Sequence, residues 1–389
     1  MIENLSQFHE MVYHCTKCYN CIFINPYYVK NEDRYYGCPA GLYYTYDAYH
    51  AGGKMEICRG IIEEEIVPSE KLSHVIYACT LCGLCEQNCE FIIELKPTKV
   101  FEAIRRKLVN EGYERPEHVI FSESIKENHN PYRTDHKKRM KWIKKLGIEI
   151  KPEAEILYYV GCTASYRVDE IAKATVKIFE KLHLDFTVSP DEWCCGSPLL
   201  RTGHYDDALK LMEHNIKLIE KIKAKTVLFS CAGCYRAFKD DYKNELGKLP
   251  FKVQHVSEFL SDLIKKGKLK IQGNEKVITY HDPCHLGRHM KVYEEPRNVI
   301  NAVPKTKLNE MDRNRMNAWC CGAGGGVKSA FKDFALSTAK ERIREAELTN
   351  AEILLSCCPF CKLNLKDGAK KSKSEIEIKD LTEYIEPLI

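Results

Sequence analysis

Cysteine carries the chemistry of this sequence. Twenty of its 389 residues are cysteine, and they fall in clusters. Cys79-x2-Cys82-x2-Cys85-x3-Cys89 is the most diagnostic run. Two-residue gaps let three thiolates of one tight loop take three corners of an iron–sulfur cube, while the fourth cysteine reaches the other cube of a two-cluster ferredoxin. A structural zinc ion wants two separated C-x-x-C knuckles instead. Cys15-x2-Cys18-x2-Cys21 is the partner motif, but Asn25 stands at its fourth position, and the next cysteine is Cys38, followed by Pro39. An insertion accounts for the gap. Exchange of fourth ligands then predicts one [4Fe–4S] cube on Cys15, Cys18, Cys21 and Cys89, and another on Cys79, Cys82, Cys85 and Cys38. Cys58 is the alternative to Cys38 and otherwise a buried free thiol.

The remaining cysteines repeat. Cys162, Cys194, Cys195, Cys231 and Cys234 recur as Cys284, Cys320, Cys321, Cys358 and Cys361, with intervals of 32, 36 and 3 positions against 36, 37 and 3. The flanks agree too: Glu192-Trp193-Cys194-Cys195-Gly196 against Ala318-Trp319-Cys320-Cys321-Gly322, and Val227 to Cys231 against Ile353 to Cys357. This is a duplicated module. Five thiols exceed the four corners of a cube, and an extra thiolate can open a cube into a distorted cluster whose outer irons accept a substrate sulfur. A disulfide suits such a site, because breaking S–S takes two electrons and releases two thiolates. Two further cubes acting only as a wire, or zinc in one module, are the plainer alternatives. Cys357 falls outside the repeat and has no assigned role.

The elements that must hold these cysteines are legible in outline. Ile156 to Val160 is a short apolar run ending at Gly161-Cys162 and reads as a buried strand. A helix bearing Val168, Ile171, Thr175, Phe179 and Leu182 follows, then a strand at Phe186 to Val188. A second helix with Leu209, Met212, Ile216 and Ile219 leads to a strand over Thr226 to Phe229. Alternating strands and helices imply a parallel sheet, whose sites form at the carboxyl ends of strands. The expected fold is α+β overall: a helical two-cluster ferredoxin-like domain over residues 1–108, a charged helical linker over 109–153, and two α/β modules over 154–250 and 251–389.

Composition excludes other classes. Cysteine at about 5% is too sparse for a secreted disulfide scaffold, and adjacent cysteines suit chelation better than loop closure. Hydrophobic residues make up 44% and charged residues 29%, and the formal charge is +4. That balance does not argue for nucleic acid, and two cubes at about −2 each would cancel it. Met1-Ile2-Glu3-Asn4-Leu5 lacks the pattern of a signal peptide, and no run approaches the ~20 apolar residues of a membrane helix. A reduced, cytoplasmic metalloprotein is expected, any membrane association running through a partner. The basic run Arg133, Lys137, Lys138, Arg139, Lys141, Lys144 and Lys145 reads as a solvated face, or as a dock for an acidic redox partner. Gly322-Ala323-Gly324-Gly325-Gly326 suits close approach of backbone. His281, His285 and His289 surround Cys284, and Arg201, Arg288, His289 and Lys328 are candidates for holding an anionic substrate.

These residues resemble the CCG-domain iron–sulfur family and, within it, the D-type iron–sulfur subunits of CoB–CoM heterodisulfide reductases. The resemblance rests on His129-Asn130-Pro131-Tyr132, Asp191 to Ser197, Arg201-Thr202-Gly203, Tyr280 to His289 and Cys320 to Gly326. It implies a noncubane [4Fe–4S] cluster in each module, catalytic cleavage of the mixed disulfide of coenzyme M and coenzyme B between them, and two cubane [4Fe–4S] clusters fed by an electron-donor subunit. In the familiar complex that donor is a membrane cytochrome b; a soluble flavin or ferredoxin partner is the alternative. The stretched first motif departs from the family pattern and points to a different donor. The same architecture serves as an electron-transfer subunit of flavin-dependent 2-hydroxyacid or glycerol-3-phosphate dehydrogenases. Complete cysteine sets in both modules favour disulfide chemistry.

Overall fold

The computed structural model describes residues 4–90, 94–144 and 146–389. Met1, Ile2, Glu3 and Lys145, part of the amino-terminal stretch and the basic run noted above, lie outside the described residues. The fold is the expected mixture of helix and parallel sheet. In the first repeat, β1 (Ile156–Tyr159), β2 (Phe186–Thr187), β3 (Thr226–Phe229) and β4 (Lys252–His255) form a sheet in the order β2-β1-β3-β4. In the second, β5 (Val277–His281), β6 (Lys307–Leu308), β7 (Ile353–Ser356) and β8 (Glu377–Asp380) are ordered β6-β5-β7-β8. Every pairing is parallel. Covered on both faces, the central strands are continuous apolar runs, with Leu157, Tyr158, Tyr159, Val227, Leu228 and Phe229 all buried. The helices Asp169–Lys181 and Tyr205–Ile222 bury Ile171, Val176, Phe179, Leu211, Met212 and Ile219.

Two sequence expectations need correction. Each sheet has a fourth strand. β4 and β8 place single buried apolar residues, Val253 and Ile378, between polar ones, too short an alternation to stand out. β4 lies beyond residue 250, so the first sheet crosses the expected module boundary. Each fourth strand enters a helix through a capping box, His255 with Glu258 and Asp380 with Glu383, so the repeat extends that far. Strand register also shifts the flank alignment by one. Leu157 pairs with Val227, and Thr279, at the same distance before its own cysteine, pairs with Leu354. Ser230 therefore corresponds to Cys357, and the repeat does include that residue.

Among its described residues the linker carries the end of the helix Pro97–Asn110, the helix Pro116–Asn128 and a short 3-10 turn at His136–Lys138. Its basic run is not simply a solvated face. Arg139, Met140, Trp142 and Ile143 are buried, and the last three join the core shared by both sheets. Among the described residues no helix is long and apolar enough to cross a membrane.

The amino-terminal domain docks on the second repeat. Its helices Ala51–Ile62, Glu70–Tyr77 and Pro97–Asn110 share one core, built on Met55, Ile76, Val100 and Ile104, with Val327, Phe331 and Phe334. Arg105, fully buried, fixes the docking. Its guanidinium donates to the carbonyls of Arg201 (2.7 Å), Gly325 (2.9 Å), Ile76 (3.0 Å) and Cys79 (2.8 Å), joining the amino-terminal domain to both repeats. Arg105→Leu keeps the bulk but orphans four carbonyls. At about 1 kcal/mol or more for each buried group left unpaired, the variant should lose about 4 kcal/mol of unfolding free energy in chemical denaturation. A loss under about 0.5 kcal/mol, typical of a neutral surface change, would show these contacts to be incidental.

Candidate metal centres

None of the twenty cysteines, all among the described residues, is in a disulfide. Cys15, Cys18, Cys21 and Cys89 line one cavity, beside Tyr19, Gly52 and Met55. Cys38, Cys79, Cys82 and Cys85 line a second, beside Lys54, Leu81 and Phe101, with Cys21 on its border. Positive φ at Leu81 and Gly83 curls the Cys79–Cys85 loop. Cys38 caps the helix Pro39–Tyr44. The insertion brings it there by closing on itself: Phe23 bridges Tyr36, Ile24 N–H donates to the Tyr35 carbonyl (2.6 Å), and Gly37 N–H donates to the Ile22 carbonyl (2.7 Å). Cys58 lies elsewhere, buried in the core of the helix Ala51–Ile62 and lining neither cavity.

Four cysteine side chains around each cavity are the donor set that a [4Fe–4S] cluster uses. Burial pushes the Cys21 thiol up to about 11 and the Cys38 thiol to about 12. Both stay protonated near neutrality unless a metal displaces the proton.

The module cysteines sit at the carboxyl ends of β1, β3, β5 and β7, in the loops or the first turns of the helices that follow, and in the two Cys-Cys-Gly loops. Their thiols form one line of contacts: Cys162 to Cys194, Cys194 to Cys195, Cys195 to Cys234 and Cys234 to Cys231. Cys231 then meets Cys358 across the two repeats. The line continues through Cys361, Cys321 and Cys320 to Cys284. Cys320 also touches Cys82, a thiol of the second amino-terminal cavity. Hydrogen bonds from Cys320 and Cys361 hold the Cys321 thiol well below its ordinary range.

Buried polar groups pin this sulfur line. Asn215 donates to the Cys194 carbonyl (3.1 Å) and Asn364 to the Cys321 carbonyl (2.7 Å). Glu192 accepts from the backbone N–H of Val160 (2.9 Å) and Gly161 (2.8 Å) and pairs with Arg139, whose guanidinium lies 3.9 Å from Cys162 Sγ. His129 donates nothing to the thiols, but its carbonyl accepts from Cys194 N–H (2.9 Å), and its ring stacks on Trp193 at 3.7 Å. The His129 phrase and Arg139 thus belong to the first module's site. Sequence reasoning missed both roles, because a linker residue carries no spacing signal toward a distant cysteine. Tyr158 meets Ser230 (2.8 Å), and in the second repeat Tyr280 lies beside Cys357. Cys357 thus fills a hydroxyl position at the end of β7.

The histidines divide. His281 Nδ1 accepts from Arg342 (3.1 Å), so the ring proton is on Nε2, next to Cys321; His281, Cys321 and Cys361 bring their donor atoms within 4.8 Å of one another. His285 Nε2 faces Arg236 (3.4 Å), which leaves N–H on Nδ1, toward Gly233 of the first module. His289 Nε2 donates to the Leu81 carbonyl (3.0 Å).

The suggested anion pocket does not assemble. Arg201 is buried against Glu102 (2.9 Å) and Asp241, and Lys328 binds Asn364 (2.7 Å) and Asp367 (2.5 Å). Arg288 and His289 instead grip the Cys79–Cys85 loop, Arg288 through the Cys82 carbonyl (2.7 Å). The glycine run does what close approach requires: a Cβ on Gly325, at φ +62, would stand 2.5 Å from the Cys79 carbonyl oxygen.

Comparison with known proteins matches this geometry to a family. The CCG cysteine-rich domain model matches residues 156–239 and again 278–366. The chain belongs to the CCG family. It is 41% identical over 379 residues to the D-type subunit of the dihydromethanophenazine:CoB–CoM heterodisulfide reductase of Methanosarcina acetivorans, covering 94% of this chain and 91% of that one. The same polypeptide of Methanosarcina barkeri is 44% identical over 331 residues, covering 83% and 80%. The B-type subunit of the fumarate reductase (CoM/CoB) of Methanothermobacter marburgensis is 30% identical over 374 residues, covering 96% and 71%. Membership of this group makes the chain an iron–sulfur redox subunit that works with partner subunits.

Cavity lining separates the two candidates for the last corner of the expected second cube: Cys38 lines the cavity of Cys79, Cys82 and Cys85, and Cys58 does not. After anaerobic purification, Cys38→Ala should lose about four irons per chain, while Cys58→Ala should keep the parental iron content. The opposite pattern would transfer the corner to Cys58.

Proposed function

We propose that the chain is the catalytic iron–sulfur subunit of a disulfide reductase, splitting CoM–S–S–CoB or a related mixed disulfide into two thiols. The contact between Cys231 and Cys358 carries this reading, because it brings both five-cysteine sets into a single buried site. Cys162, Cys194, Cys195, Cys231 and Cys234 would hold one noncubane [4Fe–4S] cluster, and Cys284, Cys320, Cys321, Cys358 and Cys361 the other. Cys15, Cys18, Cys21 and Cys89, and Cys38, Cys79, Cys82 and Cys85, would hold two cubane ones. When bound, such clusters supply one-electron storage and, in the modules, iron sites that accept sulfur.

The chain's own residues do the rest. Cys-Cys-Gly loops pinned by Asn215 and Asn364 fix the donors of each module. His285 presents N–H on Nδ1 at the seam between the modules, a hydrogen-bond donor for a sulfur placed there. The Cys82–Cys320 contact joins the amino-terminal domain to the second module. Cys18 is exposed, which puts the first cavity within reach of an electron donor. That partner is a membrane cytochrome b or a soluble flavin or ferredoxin protein, and the chain itself is cytoplasmic, reaching a membrane only through the partner.

The anaerobically purified chain should carry ~16 irons and, with a reduced viologen dye, should convert the mixed disulfide to two thiols per two electrons. Cys194→Ala and Cys321→Ala should each lower that rate at least a hundredfold while the cubane signals persist. About 8 irons, with no response to coenzyme M, would sink the reading. Full activity of both variants beside a co-purifying flavoprotein would establish an electron relay instead.

A further inference from the structure

Buried cations without carboxylates of their own surround the cavity of Cys38, Cys79, Cys82 and Cys85. Lys54 is 1% exposed; its Nζ donates to the Tyr49 carbonyl and faces Cys79, Cys38 and Cys85. Arg105 faces Cys79 and spends its N–H groups on carbonyls. Arg288 faces Cys82, Cys284 and Cys320, donating to the carbonyls of Cys82, Met316 (3.2 Å) and Ala318 (2.5 Å). None of the three forms an ion pair among the described residues.

Two acids approach. Glu102 faces Arg105 but is already shared by Arg201 (2.9 Å) and Arg236 (3.6 Å). Glu86, next to Cys85, accepts from Thr98 N–H (3.0 Å), and burial raises its pKa.

An unpaired ammonium in a protein interior is costly. A thiolate-ligated four-iron cube, carrying about −2 when oxidised, is the counter-charge this pocket lacks. The other cavity is built differently. Lys17 is the cation on its lining, partly exposed and paired with Glu56, and Cys18 faces solvent.

We propose that Lys54, with Arg105 and Arg288, sets the cube of Cys38, Cys79, Cys82 and Cys85 at a higher reduction potential than the cube of Cys15, Cys18, Cys21 and Cys89, so that electrons run inward toward the second module. The proposal rests on the cluster assignment above. Reduction adds one negative charge to a cube, and a nearby buried cation favours the more negative form. Each transfer oxidises the outer cube by one electron and reduces the inner by one. Lys54 is a positioning residue for charge; it need not touch substrate.

The test is a redox titration of the anaerobically purified full chain, followed by electron paramagnetic resonance. Signals are assigned with Cys15→Ala and Cys38→Ala. Lys54→Met should lower the inner midpoint so that its reduced-to-oxidised ratio at fixed poise falls about tenfold, ~59 mV for a one-electron couple. The outer midpoint and the iron content should not move, and Lys54→Arg should restore most of the shift. Arg288→Gln should lower the same midpoint independently. An inner midpoint unmoved in both Lys54→Met and Arg288→Gln with iron intact, or an equal shift in both cubes, overturns the proposal. If Cys79→Ala keeps all its iron, the cluster assignment has failed rather than the charge argument.

Discussion

Ten cysteine sulfurs in one line, nine of them buried, are the constraint on which the rest of the fold depends. As thiolates they repel one another in a medium that screens poorly; as thiols they offer only weak hydrogen bonds. Such a line is tolerable only if every sulfur is held in place and the surroundings can accept negative charge. The fold meets the first condition with strand ends. Parallel sheets collect loops at their carboxyl edges, and two such edges facing each other bring Cys231 against Cys358. It meets the second with buried guanidinium groups: Arg139 at Cys162, Arg288 at Cys284 and Cys320, and Arg342 acting through His281 on Cys321.

The repeat is a duplication of scaffold but not of surroundings. In the first copy Glu192 ties Arg139 to the end of β1; the second copy has Ala318 at that place, and Arg288 reaches in from the other side to its carbonyl. Tyr158 with Ser230 becomes Tyr280 with Cys357, and His281 stands where the first copy has Tyr159. A symmetric pair of sites would treat both halves of a bound disulfide alike. Divergent partners would make the two sulfurs of the proposed disulfide inequivalent, as an unsymmetrical substrate requires.

Much of this is legible in the residues. Spacings imposed by cluster geometry survive any change in the surrounding helices, so the motifs group Cys15 to Cys21 with Cys89 and leave Cys79 to Cys85 a choice between Cys38 and Cys58; of those two, Cys38 lines the cavity. Apolar runs mark β1 and β3 because a doubly covered strand has no polar face. The fourth strands are not legible: β4 and β8 each bury one apolar residue and look like loop. The roles of Arg139 and Arg105 are hidden for a different reason. A lone arginine has no periodicity, and its burial is decided by distant carbonyls and carboxylates. The anion pocket failed on the same ground, since Arg201 and Lys328 meet carboxylates supplied by other elements.

The insertion between Cys21 and Cys38 shows how strictly the cavity controls the chain around it. A thiol moved seventeen positions from Cys21 should be free to wander, yet the closed loop of Phe23 and Tyr36 returns Cys38 to the Cys79–Cys85 loop. Gly37 makes that return possible: a Cβ there would stand 2.2 Å from Leu84 and 3.0 Å from Ile24. What the insertion alters is the surface, where Tyr27 is 87% exposed. Lengthening the loop while restoring the thiol separates two demands on this domain, since the inner pocket keeps its cysteine and its buried cations while the outer face is free to change.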